Sequence, residues 1–244
     1  MPDALGLAAL AVGAVIASTI GGVAGFGAGV IMIPLIAWIM GVKATIPVLT
    51  VAMLLGNGAR VWFSRREIEG PVVIAFLAGA VPTGIVGAML YSRIEGPWIS
   101  RILGIFLLSA VPLRHWLLAH EVRVRLPHFP AIGAVFGFLS SLVGSTGPVM
   151  SPFFLGYGLT RGAFIATDAL CTVGMYIPRG IVFQRYNLMT APIVGVGLYL
   201  GVVMILGAWL GRRILDRLSE RAFLLIIETL IVLAGLQFLL FPRH

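Results

Sequence analysis

A few ionisable side chains of this sequence lie inside long apolar segments. Asp168 lies in FIATDALCTVGMYIPRG, Arg179 follows Pro178 at the end of the same segment, and Glu228 lies in the middle of LLIIETLIV. A buried charge is costly, above all in lipid, and its default interpretation is functional. Asp168 and Arg179 are eleven positions apart, about three helical turns, and therefore share one helix face. We predict that Asp168 and Glu228 carry protons and that Arg179 binds an anion. The alternative for each is a structural polar contact between helices.

Two glycine-rich breaks interrupt the apolar segments, GGVAGFGAG at Gly21–Gly29 and VGSTG at Val143–Gly147. Non-helical backbone is tolerated in lipid only where it is buried in protein or lines a watery cavity. Each break would also aim free N–H groups and the positive end of a helix dipole at one point, which favours an anion. The alternative is close helix packing by small residues. The predicted anion ligands are Gly25, Phe26, Gly27, Gly29, Ser145, Thr146 and Gly147.

Asn57, in the middle of the segment LLGNGAR, is a further candidate ligand for the anion. Its amide could equally form a hydrogen bond with a neighbouring helix, as polar side chains do in membrane bundles. The sequence leaves both interpretations of Asn57 open.

Other kinds of chemistry lack the residues that they need. The four histidines lie in the linker, at a segment edge or at the terminus. An intramembrane protease needs a catalytic or zinc-binding histidine within an apolar segment, and this sequence has none there. There is no G-x-x-x-x-G-K-[ST] phosphate-binding loop, and the lone Cys171 has no metal-binding spacing. We therefore expect no enzyme activity, no cofactor and no metal.

The composition points to an integral membrane protein. Of 244 residues, 59% are hydrophobic and 11% are charged, whereas a soluble domain carries about 25% charge. The chain is too apolar for a soluble globule or a disordered segment. All basic residues except Lys43 are arginines, mostly at the ends of apolar segments, which suits loops at a membrane surface rather than a nucleic-acid interface. The lipid bilayer is therefore the expected partner.

The apolar segments predict ten helical pieces. A helix needs about 20 residues to cross about 30 Å of hydrocarbon, and four of the pieces are too short to cross comfortably. The predicted helices cover residues 4–20, 29–41, 44–64, 70–92, 98–118, 129–142, 148–158, 161–184, 188–211 and 219–241.

The second half of the chain repeats the first. At an offset of 118 residues Gly29, Met32 and Pro34 meet Gly147, Met150 and Pro152, and at an offset of 120 VGAMLYSRI meets LGAWLGRRI. We predict a single transmembrane domain over residues 1–244, with repeat one at 4–118, a linker at 119–128 and repeat two at 129–241. Tandem repeats of this kind are typical of secondary transporters.

The positions of the arginines predict how the repeats are related. An odd number of crossings in each repeat puts 11 of the 17 basic residues on one side, whereas an even number divides them 9 against 8. The positive-inside rule favours the odd number. The predicted fold is therefore an all-α, polytopic membrane bundle of two inverted repeats with short, glycine-broken helices. The chain is placed in the inner cell membrane, with the N-terminus outside and the 119–128 linker in the cytoplasm.

These motifs together resemble the TauE/SafE family of sulfite-exporter-like membrane proteins. The resemblance is carried by GGVAGFGAGVIMIPLIAWIMGVKATIPVLT in the first repeat, and by FGFLSSLVGSTGPVMSPFFLGYGLTRGAFIATDAL and LGAWLGRRILDRLSERAF in the second. It implies a multi-pass transporter of small anions, of which sulfite and sulfonates are the family's usual substrates. Coupling to the proton gradient is an expectation from the class.

The sequence therefore predicts a proton-linked secondary transporter of a small, sulfur-containing anion that works by alternating access. The alternative is a passive anion channel or facilitator, in which Asp168 and Glu228 are structural. A membrane scaffold or assembly subunit is a third interpretation and predicts no flux. The substrate, the direction of transport and the oligomeric state, including a homo-oligomer, remain open at this stage.

Overall fold

A computed structural model of the chain describes residues 2–24, 27–120, 122–159 and 161–214, together with residues 232, 236 and 238. Nine α-helices and two 3-10 turns account for most of these residues, and the described residues form no β-strand. The predicted all-helical fold is thus confirmed. The tenth predicted helix, 219–241, falls almost entirely outside the described residues. The helices are α1 (Ala4–Ala24), α2 (Ala28–Met40), α3 (Val42–Ser64), α4 (Gly70–Arg93), α5 (Gly96–Ala119), α6 (Phe129–Val143), α7 (Gly147–Gly156), α8 (Arg161–Arg185) and α9 (Ala191–Ile214).

Six helical segments of the described residues are long and apolar enough to cross a membrane. They correspond to α1, α3, α4, α5, α6 and α9. Helix α8 is not among them although it has 25 residues, because it carries several polar and charged side chains. Thr167, Asp168 and Arg179 on this helix are buried. The polar helix is therefore shielded by the apolar ones around it.

Each glycine-rich break joins two antiparallel helices into a hairpin. In the first hairpin, Gly21 of α1 packs beside Ala28 at the start of α2, and Gly6 packs beside Ile39 near its end. In the second, the rings of Phe136 on α6 and Phe153 on α7 lie 5.6 Å apart. The returning helices α2 and α7 have 13 and 10 residues, which is about 20 Å and about 15 Å of helix. Neither is long enough for about 30 Å of hydrocarbon.

Helix α1 is longer than the sequence predicts. It was expected to end at residue 20 but continues to Ala24, through Gly21 and Gly22. A Cβ atom on Gly22 would lie 3.3 Å from the Ala208 carbonyl oxygen on α9. The two helices approach so closely that a side chain at this position would crowd the α9 backbone. This packing outweighs the poor helix propensity of glycine. Helix α9 begins three residues later than predicted, because the preceding turn contains Asn187 at a φ of 56°.

Two pairs of helices, one from each half of the chain, pack closely side by side. Helix α4 packs along α6, and α1 packs along α9. Glycines lie in both interfaces, where they face the backbone of the opposite helix at Gly79, Gly133, Gly137, Gly207 and Gly211. Small residues let helix backbones approach in this way within a membrane.

Helices α3 and α8 cross at the centre and run in opposite directions. Arg60 near the end of α3 lies beside Asp168 near the start of α8, and Thr50 lies beside Gly180 further along. Helix α9 packs against α3 and α4 packs against α8. The pair α3 and α8 therefore forms the core around which both hairpins are arranged.

Candidate central anion cavity

The two breaks face each other across a small cavity at the middle of α3 and α8. Its free volume is about 20 Å³, close to the ~10–15 Å³ that one water molecule needs. We call the residues from the first half of the chain the first wall and those from the second half the second wall. The first wall is Gly27, Ala28, Gly29, Met53, Asn57 and Arg60; the second wall is Ser140, Ser145, Thr146, Gly147, Met150, Asp168, Thr172, Met175 and Tyr176.

At the first break the backbone turns sharply just before α2. Gly27 precedes the helix with φ at 99°, in the left-handed region that glycine adopts without steric cost. A Cβ atom on Gly29 would lie 2.6 Å from the Cβ and 2.7 Å from the Oγ of Ser145. Position 29 thus has no space for a side chain, and the two breaks touch at this point.

The second break is held by hydrogen bonds and carries hydroxyl groups. Gly144 ends α6 with φ at 83°, and its carbonyl accepts a 2.7 Å hydrogen bond from the Tyr176 hydroxyl of α8. Ser145 and Thr146 follow and are both buried. Helix α7 then begins at Gly147. Because the first N–H groups of a helix have no partner inside it, the starts of α2 and α7 present backbone donors near the cavity. At α7 the donor is the Gly147 N–H, since Pro148 has no N–H and the Val149 N–H donates to the Thr146 carbonyl.

Asp168 is paired with Arg60, on the opposite central helix. The Arg60 Nη2 lies 3.9 Å from the Asp168 Oδ2, and Arg60 Nη1 donates a 2.8 Å hydrogen bond to the Asn57 Oδ1. Asp168 Oδ1 and Asn57 Nδ2 are buried and have no hydrogen-bond partner within the described part of the chain. Buried polar atoms without partners are rare in folded proteins, so these two atoms mark the cavity as a place where a polar ligand fits.

Arg60 was missed by sequence reasoning as a site residue. It lies four residues before the end of α3 and is one of the 11 basic residues that the predicted topology places on one side of the membrane. The structure buries it in the cavity wall. Its spacing of three residues from Asn57 in LLGNGAR was the available signal, since residues three apart on a helix are neighbours. Arg114, counted with it, is also buried.

Arg179 lies behind the second wall rather than in it. Its Nη1 donates a 2.8 Å hydrogen bond to the Ser140 carbonyl, and its Cζ lies 3.7 Å from the centre of the Tyr176 ring, a cation–π distance. Its Nε and Nη2 are buried without a hydrogen-bond partner among the described residues. The helix face that Arg179 shares with Asp168 does not bring the two into an ion pair.

A second cavity opens beyond Arg60. It has a volume of about 250 Å³ and shares Arg60 with the central cavity. We call it the vestibule; its lining consists of Gly22, Arg60, Phe63, Ser64, Glu67, Gly162, Ile165 and Ala208. Arg60 therefore separates the central cavity from a larger space at the end of α3.

The predicted site residues fall into three groups. Seven of them line the central cavity: Gly27, Gly29, Asn57, Ser145, Thr146, Gly147 and Asp168. Arg179 lies directly behind it. Gly25, Phe26 and Glu228 lie outside the described residues. No group of three metal-binding side chains occurs in the ranges that the structure describes.

Comparison with known proteins identifies the family. The model of the sulfite exporter TauE/SafE family matches residues 9–238, which include both breaks and both central helices. Neither a curated protein nor a solved structure gives a significant match. The family match confirms the resemblance seen in the sequence, and the six apolar helices agree with a multi-pass membrane protein. The chain belongs to the sulfite exporter TauE/SafE family of membrane transporters.

Proposed function

We propose that this protein is a proton-linked carrier of a small oxyanion, sulfite or a related sulfur-containing anion, which it binds between the two breaks. One observation carries the proposal: the breaks touch at Gly29 and Ser145, beside a cavity lined by buried polar groups. Irregular backbone that lines such a cavity is the usual anion site of transporters built from repeats.

The donors around the cavity suit an oxyanion. Backbone N–H groups at the starts of α2 and α7 carry the positive ends of two helix dipoles. The Nδ2 of Asn57 is a buried donor without a partner in the described structure, and the hydroxyl groups of Ser145 and Thr146 lie in the same wall. We propose that these groups bind the anion from both walls, with Arg179 assisting from behind Tyr176.

The size of the cavity favours a carrier. A volume of about 20 Å³ holds about one water molecule, whereas sulfite has a sulfur atom and three oxygens. The two walls must therefore separate to admit the anion and come together behind it. A pore that conducts continuously would need an open path, and the tight contact at Gly29 interrupts one.

Asp168 is the proposed proton carrier. It is buried near the anion site, 3.9 Å from the Arg60 guanidinium. An anion entering the cavity is repelled by the carboxylate, and this repulsion is strong where water is scarce. Protonation of Asp168 removes it, so the anion and the proton would bind together. Glu228 is proposed for the same role from its sequence position alone.

The helix pairings support inverted repeats. In the predicted repeat, helices α1 to α4 correspond to α6 to α9 in order. This correspondence turns the pair α4 and α6 into α9 and α1, and the pair α3 and α9 into α8 and α4. All four pairs are in contact. The corresponding helices α3 and α8 run antiparallel, as repeats related by an axis in the membrane plane require. We propose alternating access by rocking of repeat one (4–118) against repeat two (129–241), with the linker in the cytoplasm and the N-terminus outside.

Flux in proteoliposomes tests this function against its rivals. We expect saturable sulfite counterflow that responds to a pH gradient and loses that response in Asp168→Asn. Tyr199→Phe, at an exposed position of α9, is the control and should behave as wild type. Conductive anion currents that do not change in Asp168→Asn would favour a passive channel and contradict the carrier. Complete absence of flux for sulfite, sulfate, sulfonates and carboxylates would favour a scaffold.

A further inference from the structure

Arg60 and Arg179 occupy the same position in the two central helices. Each is the nineteenth residue of its helix, α3 or α8. Their separation of 119 residues also falls between the offsets of 118 and 120 that relate the duplicated sequences. Both side chains are buried. A costly charge that occurs at one position in both halves of a membrane protein indicates a function that each half performs.

The antiparallel crossing places the two arginines toward opposite sides of the central cavity, Arg60 in its wall and Arg179 behind it. Arg60 lies toward the end of α3 and the start of α8, where the Glu69 N–H donates a hydrogen bond to Thr167 Oγ1. The segment at 122–128 is on this side too, since the Val124 N–H donates to the Gly156 carbonyl at the end of α7. We call this the linker side. Arg179 lies toward the opposite end of α8.

The two ends differ in access. The linker side is open as far as Arg60, through the vestibule of about 250 Å³. The Arg179 side is closed by the Tyr176 hydroxyl on the Gly144 carbonyl and by Arg179 itself on the Ser140 carbonyl. An anion arriving from the linker side thus meets Arg60 before it reaches the breaks. Because the two halves would exchange roles in alternating access, Arg179 would be the residue that an anion meets first when the opposite side opens.

Arg179 has the geometry to receive an oxyanion. Its Nε and Nη2 form one edge of the guanidinium, and both are buried without a hydrogen-bond partner in the described ranges. Two parallel N–H groups of this kind match two oxygens of an oxyanion. This edge therefore has no protein partner among the described residues, while Nη1 holds the Ser140 carbonyl.

We propose that Arg60 and Arg179 are a matched pair of anion-receiving positions, one for each side of the membrane. Substrate from the linker side binds at Arg60 before it passes between the breaks, and substrate on the opposite side binds at Arg179. This inference rests on the proposed anion carrier and adds the residues that receive its substrate. The competing account gives both arginines structural roles only, Arg60 as the partner of Asp168 and Arg179 as a tie between α6 and α8.

Chemical restoration of the positive charge from one side of the membrane at a time distinguishes the two accounts. The chain has one cysteine, Cys171, and it is buried, so a Cys171→Ala background accepts new cysteines cleanly. Arg60→Cys and Arg179→Cys are reconstituted in liposomes and treated, on one side only, with impermeant charged alkyl bromides, which form thioethers that sulfite does not cleave, and excess reagent is removed before flux is measured. One reagent attaches a guanidinium group and restores the positive charge with its N–H donors; the other attaches a sulfonate. Arg66→Cys and Arg185→Cys, at exposed positions near the same helix ends, are the matched controls.

We expect each buried variant to lose about tenfold or more of its sulfite flux at low sulfite, the effect of losing a charge-assisted hydrogen bond. The guanidinium reagent should restore flux in Arg60→Cys from the linker side only, and in Arg179→Cys from the opposite side only. The sulfonate reagent should restore nothing. The two control variants should keep their flux.

Three results would overturn the pairing while leaving the carrier intact. They are unchanged sulfite flux in both buried variants, restoration from the same side for both, or restoration by either reagent regardless of charge. If Arg60→Cys does not fold, Arg60→Lys keeps the charge beside Asp168 but loses the planar fork, and wild-type sulfite affinity in that variant would overturn the role of Arg60. Absence of flux in wild type contradicts the proposed function instead.

Discussion

The two walls of the central cavity come from the two halves of the chain, for which the sequence predicts a repeat, yet they offer different chemistry. The first wall presents glycine backbone, the Asn57 amide and the Arg60 guanidinium. The second wall presents hydroxyl groups, the Tyr176 phenol and the Asp168 carboxylate. Both walls thus supply donors, the first wall adds positive charge, and the second wall adds the group that can take up a proton.

Loss of the charge that links the walls should have the largest effect. Arg60→Gln leaves Asp168 buried without its ion-pair partner at 3.9 Å, and breaking a buried pair costs about 3–5 kcal/mol. The double variant Arg60→Gln/Asp168→Asn should recover part of this, since no lone carboxylate remains. Thermal unfolding in detergent measures Arg60→Gln, Asp168→Asn and the double variant, with Arg66→Gln as an exposed control. A loss of stability in the double variant that equals or exceeds the sum of the two single losses would show that the walls are not joined by this pair.

The contact between the breaks should give the next largest effect. A methyl group at position 29 would lie 2.6 Å from the Ser145 Cβ, and overpacking of this kind costs about 1–3 kcal/mol. Gly29→Ala should therefore destabilise the protein, and adding Ser145→Gly should restore the loss because it removes the opposing atoms. Gly195→Ala is the control, since a Cβ there meets nothing within 4 Å. Failure of Ser145→Gly to restore stability would mean that the breaks do not touch.

The hydroxyl that fixes the second wall should have the smallest effect. Tyr176→Phe removes the donor to the Gly144 carbonyl, and a neutral hydrogen bond contributes about 1 kcal/mol. We expect a stability loss of that size by thermal unfolding, with Tyr199→Phe unchanged. A loss no greater than that of Tyr199→Phe would show that this hydrogen bond does not hold the second break in place.

The sequence alone predicts the helices and the breaks, but it does not predict which helices pack together. Apolar length and glycine content predicted the helices and both breaks, because these follow from local hydrophobicity and backbone freedom. The length of α1 could not be predicted, since Gly21 and Gly22 stay helical only through their packing on α9. The pairing of Asp168 with Arg60 joins helices more than 100 residues apart in the chain. Spacing along one helix placed Arg179 on the same face as Asp168 instead. No local sequence pattern shows which residue of another helix lies beside a buried charge.

Sulfite binding to the purified protein tests the central claim most directly. Isothermal titration calorimetry would compare wild type, Gly29→Ala and Gly195→Ala, with chloride as the comparison anion. If the anion lies between the breaks, sulfite affinity should fall about tenfold or more in Gly29→Ala, a loss of about 1.4 kcal/mol, and stay at the wild-type value in Gly195→Ala. Equal sulfite affinity in all three proteins would place the anion elsewhere and contradict the account.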